Sequence, residues 1–508
     1  MPATAAAISG DQVGNWFGHP RGLFILFFTE MWERFSYYGM RSLLVLYMVN
    51  FLFIHPEVGR RVLGFDAVKG ILESAYGPLT AQPLSSQIYG LYTAFVYLTP
   101  FFGGMLADRV LGQRKSVILG GVLMAIGQFM LMSEHLFFPA LMCLIVGNGA
   151  FKPNISTQVG ALYREGDPRR DGAFTIFYMG INLGAFFSPI VCGTLGQRVG
   201  WNYGFGAAGV GMVLGLLLYI WGQRMLGREA ESKRKPLGPG RATTAIVGYI
   251  VAMVLGVLLL VSTFLLPEAM RFGIGTLVLV GIIAWIARLP HDERPRVIAL
   301  LILCALNVLF WAVYEQQGNT MQLWADKNIN WRFLGITIPS TWYQAFNPAM
   351  IFIFAPILSS FWAIQAKRRQ EPSSVTKMAI GTLLVGLSFL VMILATRGMS
   401  PNMQRSVLWL VGMTMVITLG ELYLSPVGLS FVTKVAPARM VSMLMGVWFL
   451  ANFFGNYLSG YLGTFWEKIS HERFFFLMMG LGIGTGILIF LINRPLASAV
   501  GRHDRTEA

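Results

Sequence analysis

Residues 22–53 read GLFILFFTEMWERFSYYGMRSLLVLYMVNFLF. The run is long enough to cross the roughly 30 Å of bilayer hydrocarbon as a helix, yet it contains Glu30, Glu33, Arg34 and Arg41. A single charge at the centre of a bilayer helix costs about 2.5 to 3.5 kcal/mol on insertion scales. We therefore expect these four side chains to face a protein interior or a water-filled cavity and not lipid.

The composition of the whole chain is that of a membrane protein. Of its 508 residues, 55% are hydrophobic and only 12% are charged, too few to cover the surface of a soluble protein of this size. Apolar runs recur without the two-residue alternation of strands, which favours helices. The sequence predicts an all-α membrane protein with fourteen transmembrane helices, at 22–53, 85–107, 113–134, 136–163, 172–197, 203–223, 243–266, 270–288, 297–323, 340–366, 376–396, 405–433, 440–465 and 474–494.

The net charge of +15 is explained by membrane orientation. Basic residues gather in alternate loops, for example at 109–115, 164–170, 233–235 and 367–369. Because cytoplasmic loops carry an excess of Lys and Arg, this pattern predicts cytoplasmic N- and C-termini and a multi-pass protein. Anionic membrane lipids are the expected partners of the basic loops, and no nucleic-acid partner is expected.

The charges inside the spans suggest how the chain is organised. They occur in the first six and the last six helices, whereas the pair between them has none in its interior. We predict an N-terminal six-helix bundle (1–223), a basic linker with two inserted transmembrane helices (224–296), and a C-terminal six-helix bundle with a cytoplasmic tail (297–508). The run 104–109 followed by 112–115 resembles the loop signature of the major facilitator superfamily, whose fold has two such halves.

The charged residues of the first helix can share one face. Glu30 and Glu33 are one turn apart, Arg34 follows Glu30 by four residues, and Arg41 lies two turns beyond Arg34. A carboxylate beside a guanidinium in a poorly hydrated site stays ionised, and one that loses its partner takes up a proton. The face is thus a candidate proton switch for the transport of polar solutes. The alternative is a static ion network that only orients helices.

Lys152 is the one charge in the fourth span, directly before Pro153. An ammonium group at that depth needs an anion. The deep candidates are Glu30, Glu33, Glu315 and Glu421, or an anionic ligand.

Five motifs carry a resemblance to a known family. Residues 30–39 match the ExxERFxYYG signature of the proton-coupled oligopeptide transporter (POT or PTR) family. The other four motifs are Gly149–Asn154, Phe177–Gly184 (FYxxINxG), Phe310–Trp311 with Glu315–Gln316, and Gly420–Gly428. The chain therefore resembles the prokaryotic members of this family over essentially its whole length.

The resemblance implies proton-driven symport of di- and tripeptides into the cell by alternating access. The residues implied in proton coupling are Glu30, Glu33, Arg34 and Glu315. A cationic pole for the peptide carboxylate would consist of Arg34, Arg41 and Lys152. The pole for the peptide amine would consist of Asn182, Asn347 and Glu421. The substrate pocket would be lined by Tyr37, Tyr38, Tyr97, Tyr178, Trp311 and Trp448. Taken singly, the amides could instead bond between helices, and the aromatic rings could serve packing.

A charge count supports proton coupling. Four buried glutamates contribute −4 and the three cations +3, so the empty site carries −1. One proton makes it neutral, and a zwitterionic peptide adds no net charge. We therefore expect about one proton per neutral dipeptide.

Departures from the family pattern refine these expectations. Mammalian members carry a histidine on helix two where this chain has Gly90, so proton handling should depend on carboxylates. The inserted helix pair follows the prokaryotic pattern, which implies the cell inner membrane.

The alternative function is proton-coupled transport of nitrate, another small anion or a peptide-like compound. We expect the protein to be a monomer. Because no nucleophile–base pair or metal-ligand cluster is present, we do not expect an enzyme or a bound metal, and we expect no cofactor besides the proton.

Overall fold

The computed structural model describes residues 14–164, 166–226, 239–400 and 403–493. The basic run at 233–235 and both chain ends, which the sequence predicts to be cytoplasmic, lie outside the described residues. The helices of the described residues are α1 (Arg21–Tyr47), α2 (Pro56–Gly59), α3 (Phe65–Tyr76), α4 (Ala81–Leu106), α5 (Gln113–Met130), α6 (Phe137–Ala161), α7 (Arg169–Arg198), α8 (Trp201–Gly222), α9 (Pro239–Ser262), α10 (Glu268–Ala287), α11 (Arg294–Tyr314), α12 (Thr320–Asn328), α13 (Phe346–Lys367), α14 (Ser374–Thr396), α15 (Leu408–Val435), α16 (Val441–Gly463) and α17 (His471–Leu491).

Short elements join or extend these helices. Five-residue π-helical turns at Met48–Leu52 and Ala107–Leu111 continue α1 and α4. Turns of 3₁₀ helix occur at Glu134–Leu136, Gln223–Met225, Thr263–Leu265, Glu315–Gly318, Ser340–Ala345 and Ala438–Met440. The strands of the described residues are β1 (Asn15–Trp16), β2 (His19–Pro20), β3 (Ile329–Asn330), β4 (Arg332–Phe333), β5 (Ile336–Thr337) and β6 (Arg405–Ser406). β1 pairs with β2 and β4 with β5 antiparallel, while β3 pairs with β6 in parallel.

The all-α prediction with fourteen long helices is confirmed. Within the described residues, fourteen helices have eighteen residues or more, and each overlaps one predicted span. Twelve helical segments are long and apolar enough to cross a membrane. The two other predicted spans are α1, which contains the charged face, and α5, whose first turn contains Arg114 and Lys115.

Two predicted spans are not continuous α-helices in the structure, whereas the other spans differ from the prediction by shifts of their ends. The predicted span 297–323 is interrupted, because α11 ends at Tyr314 and a 3₁₀ turn precedes α12. The predicted span 340–366 begins with a 3₁₀ turn, so that Asn347 and Pro348 lie in the first turn of α13 and not deep inside a helix. Pro348 fits there because the first turn of a helix leaves its N–H groups without intrahelical partners.

The first unit consists of the described parts of residues 1–66 and 95–259. Within it α1 packs against α7 and α8, and α5 packs against α6 and α8. The inserted helix α9 contributes Tyr249 to a buried apolar cluster with Leu106, Val146 and Ala150. Its hydroxyl donates to the Val146 carbonyl oxygen at 3.1 Å, which fixes α9 to this unit.

The second unit consists of the described parts of residues 67–94 and 260–508. In it α14 packs against α15 and α17, α11 against α16, and α13 against α15. The second inserted helix, α10, buries none of its side chains. The first half of α4 belongs to this unit and the second half to the first unit. The three-part division at 223 and 296 stays a prediction.

Candidate functional site

The charged face of α1 forms a buried ion cluster in the first unit. The Arg34 Nε atom lies 3.1 Å from Glu30 Oε1 and also donates to Glu33 Oε2. All three side chains are at most 4% exposed. The spacing of one helical turn brings them together, as the sequence predicts. Two carboxylates share one guanidinium, so the fully ionised cluster carries a charge of −1 and has a carboxylate oxygen to offer to a proton.

Each predicted cation of the first unit lies over a predicted tyrosine ring. The Arg34 guanidinium carbon is 5.4 Å from the centroid of the Tyr37 ring, and that of Arg41 is 5.9 Å from the Tyr38 centroid. The Lys152 Nζ atom is 4.8 Å from the centroid of Tyr97. A ring face attracts a cation without neutralising it, so these contacts position the three cations and leave their formal charges unchanged.

Close backbone approach places Lys152 beside Tyr97. A Cβ atom at Gly103 of α4 would lie 1.8 Å from the carbonyl oxygen of Gly149 in α6, so the two helices touch where only glycine fits. Tyr97 lies within two turns before Gly103, and Lys152 lies one turn after Gly149. The Lys152 ammonium also attracts the Glu30 carboxylate, which joins α6 electrostatically to the α1 cluster.

α7 holds two further predicted residues of the first unit. The Asn182 side chain is buried and donates to the Tyr178 carbonyl oxygen of its own helix at 3.1 Å. The Tyr178 side chain is exposed. Gly184, the last residue of the same motif, lies against α1, since a Cβ atom there would be 2.2 Å from the Met31 carbonyl oxygen. This motif therefore sets the packing of α7 on the charged helix.

Glu421 is the centre of a polar cluster in the second unit. Its Oε2 atom accepts a hydrogen bond from Asn347 Nδ2 at 2.9 Å and another from the Tyr314 hydroxyl at 2.6 Å. Asn347 Nδ2 also lies 3.0 Å from Thr418 Oγ1. The structure thus brings the predicted Asn347 and Glu421 together within this unit, whereas Asn182 belongs to the first unit.

Sequence reasoning missed Tyr314 and Thr418. Both positions carry a local signal: Tyr314 follows Trp311 by three residues, and Thr418 precedes Glu421 by three, so each shares a helix face with a predicted residue. This signal alone does not indicate a functional role, because a tyrosine or threonine in a span is more often a packing or backbone-bonded residue.

Glu315 lies at the end of α11, where the helix breaks. It is buried, and its charge interacts with that of Glu421. The break is stabilised by Gln316, whose Nε2 atom donates to the Ser459 carbonyl oxygen at 3.0 Å and whose Oε1 atom accepts from the Thr320 hydroxyl at 2.8 Å. These bonds join the break to α16 and to the first residue of α12.

The two predicted tryptophans have different surroundings in the second unit. The Trp311 ring packs edge-to-face against Tyr314, with centroids 5.3 Å apart, and so lies one contact from Glu421. Trp448 is 3% exposed and lies on Gly428 of α15, where a Cβ atom would be 2.2 Å from its Cζ2 atom. Trp448 therefore packs α16 against α15.

No group of three or more His, Cys, Asp or Glu side chains that could hold a metal ion occurs among the described residues. Cys143, Cys192 and Cys304 are free thiols.

The chain was compared with known proteins. The PTR2 model of the POT family matches residues 114–478. The chain is 37% identical to the uncharacterized transporter YclF of Bacillus subtilis (strain 168) over 498 residues, which cover 96% of either chain. It is 34% identical to the di-/tripeptide transporter of Lactococcus lactis subsp. cremoris over 508 residues, covering 96% of this chain and 98% of that one.

The crystal structure of a mutant of the peptide transporter POT in complex with alafosfalin is also similar. It matches with a TM-score of 0.79 and 34% identity, covering 97% of this chain and 99% of the other. The likeness bears out the predicted major facilitator fold and a non-enzymatic, membrane-embedded protein with prokaryotic relatives. Because the family model covers more than half of the chain and the relatives align with nearly all of it, the chain belongs to the POT family.

Proposed function

We propose that this protein carries di- and tripeptides into the cell together with protons, by alternating access. Its similarity to a protein named a di-/tripeptide transporter and to a peptide transporter bound to alafosfalin supports this proposal. The observation that carries it is the Glu421 cluster. The two donors to this half-buried carboxylate, Tyr314 and Asn347, are neutral, so the counter-charge of an ionised Glu421 can come from a peptide ammonium group.

The other end of the peptide is assigned to the first unit. Arg34, Arg41 and Lys152 are cations among apolar helices, and each lies over a tyrosine ring. A C-terminal carboxylate is the anion that such a group of cations can receive, and an arginine fork can bind both of its oxygens. Asn182, in the same unit, is proposed as a further polar contact, and the tyrosines and Trp311 as pocket walls.

Proton coupling is assigned to the ion cluster on α1. Arg34 serves both Glu30 and Glu33, so a peptide carboxylate that draws Arg34 away leaves a buried carboxylate without its partner. That carboxylate then binds a proton, because a buried charge without a partner is costly. Glu315 is proposed as a second acidic group in the coupling. The charges balance at about one proton per neutral dipeptide.

The proposed function includes a cellular location and a membrane orientation. We propose a monomer in the cytoplasmic membrane of a prokaryote, with both termini in the cytoplasm, basic loops against anionic lipids, and the proton as the coupling ion without another cofactor.

The test is uptake of labelled dialanine into proteoliposomes under an imposed proton gradient. Peptides should compete with it, whereas free amino acids and nitrate should not. Glu421→Gln should reduce peptide uptake at least tenfold, since a charge-assisted bond contributes about 1.5 to 3 kcal/mol. Glu57→Gln, at an exposed glutamate of α2, is the matched control. Nitrate uptake that survives Glu421→Gln, without peptide uptake by the unaltered protein, would support the anion alternative and end the proposal.

A further inference from the structure

Glu33 of the ion cluster also belongs to a second buried face of α1. On an ideal helix Thr29, Glu33 and Ser36 lie within about 60° of arc. All three are 0% exposed. Among the described residues, Thr29 Oγ1, Ser36 Oγ and Glu33 Oε1 have no hydrogen-bond partner. Buried polar groups are nearly always bonded, so three such oxygens on one face call for a ligand that bonds them.

Side chains of two neighbouring helices show the same property. Gln128 of α5 donates from Nε2 to the Ser36 carbonyl oxygen at 3.2 Å, which fixes its carboxamide one turn from Glu33. Its Oε1 atom has no partner in the described part of the chain, and the side chain is 0% exposed. Asn148 lies on α6, which packs against both α1 and α5. It is 1% exposed, and neither its Oδ1 nor its Nδ2 atom is bonded among the described residues.

The donor and acceptor capacity of these atoms indicates which ligand fits them. Glu33 Oε1 and Gln128 Oε1 only accept hydrogen bonds, whereas a hydroxyl group both donates and accepts. A water molecule can donate two bonds and accept two, and buried waters typically make about three bonds to polar groups of this kind. Water suits both kinds of group, because it can donate to Glu33 Oε1 and Gln128 Oε1 and can accept from the hydroxyls and from Asn148 Nδ2.

We propose that α1, α5 and α6 of the first unit enclose an internal water site bounded by Glu33, Ser36, Gln128 and Asn148, through which protons reach Glu33. The proposal deepens the proton coupling proposed above and rests on it for the direction of proton flow. A hydronium ion in the site gives its proton to Glu33 Oε1 and remains as neutral water, so atoms and charge balance. Gln128 acts as a positioning residue that holds this water against the carboxylate.

Other ionisable groups near Glu33 set the conditions of this transfer. They are Glu30, Arg34, Tyr37 and Tyr38 on α1 and Lys152 on α6. The helices α5 and α7 carry Asp, Glu, Lys or Arg only in their first or last turns, and α8 carries none. The water site is thus uncharged except for Glu33, and removing Gln128 changes the hydration of Glu33 without changing a charge.

The functional test uses Gln128→Met and Ser36→Ala, with Met124→Leu as the control one turn away on α5. Each Gln128 or Ser36 variant should lower proton-driven uptake by on the order of threefold to tenfold and shift its pH profile. Peptide counterflow, which needs no net proton movement, and the Kd for peptide should stay unchanged. An equal loss of counterflow and proton-driven uptake, or a wild-type pH profile, would overturn the assignment.

A second measurement does not depend on transport. A high-resolution experimental structure of the unaltered protein should show ordered solvent density within hydrogen-bond distance of Glu33 Oε1 and Gln128 Oε1, and Gln128→Met should remove it. A dry site in which these side chains bond one another would refute the inference. If the protein carries no peptide at all, the proposed function fails, while the density still decides the water site.

Discussion

Tyr314 and Glu421 are joined by a hydrogen bond of 2.6 Å, in which the phenol of α11 donates to the Oε2 atom of a glutamate midway along α15. The same oxygen accepts from Asn347 at the start of α13. Three helices of the second unit therefore converge on one carboxylate. Its donors are neutral, so they orient the carboxylate without cancelling its charge, in contrast to Glu30 and Glu33, which share a guanidinium.

Tyr314→Phe removes the shorter of the two bonds and keeps the ring. Because a hydrogen bond to a charged group contributes about 1.5 to 3 kcal/mol, we expect the KM for dipeptides to rise about tenfold or more. Peptides with a blocked amine should be much less affected, since they do not use the carboxylate as a counter-charge. Uptake kinetics in proteoliposomes measure both. Tyr423→Phe, on α15, is the control, and an unchanged KM in the Tyr314 variant would contradict the assignment.

Glu33→Gln keeps the shape of the side chain and removes its charge. Arg34 then has one carboxylate partner, and the cluster can no longer release and rebind a proton at this position. We expect proton-driven accumulation of peptide to be lost while counterflow persists. Both are measured with labelled dialanine in proteoliposomes, and Glu57→Gln is the exposed control. Accumulation at the wild-type level would show that Glu33 only orients helices.

Much of the fold could be predicted because its causes are local. An apolar run of about twenty residues predicts a membrane span, whatever other helices pack against it. The sequence spacing of Glu30, Glu33 and Arg34 likewise places three charges on one helix face. The break after Tyr314 could not be predicted in this way. It depends on Gln316 reaching Ser459 on α16, a contact between residues far apart in sequence.

The residues of the candidate site also differ in whether a local sequence signal predicts them. Glu421 lies in a family motif and Asn347 is implied by the wider resemblance, and the structure shows the hydrogen bond between them. Tyr314 was not identified, because nothing local distinguishes it from the packing aromatics beside it. Trp448 shows the reverse case: it was predicted to line a pocket, but the structure buries it on Gly428. The role of Trp448 in lining the substrate pocket stays a prediction.

Gly90→Ala probes the close contact between α4 and α16. A Cβ atom at Gly90 would lie 2.5 Å from the Gly460 Cα atom and 2.9 Å from the Asn456 carbonyl oxygen, so the backbone of α16 has to move. Overpacking of this kind costs about 1 to 3 kcal/mol. We expect a lower melting temperature in detergent and reduced uptake. Gly70→Ala in α3, with nothing within 4 Å, is the matched control and should not lower the melting temperature. Equal melting temperatures for the two variants would show that α4 and α16 do not need this contact.

Gly428→Ala and Trp448→Phe test whether Trp448 is a packing residue. The added methyl group would lie 2.2 Å from Cζ2 and 2.5 Å from Cη2 of the indole, atoms that phenylalanine lacks. Each single variant should therefore lower stability, by about 1 to 3 kcal/mol, the first through overpacking and the second through lost volume. The double variant should recover part of this loss, with a coupling of about 1 kcal/mol, because the methyl group fills the space that the smaller ring leaves.

Melting temperatures of the two single variants, the double variant and the Gly446→Ala control on α16 measure the coupling. Uptake of small and bulky dipeptides measures specificity. Additive losses of stability together with a changed preference for bulky peptides would instead make Trp448 a wall of the substrate pocket.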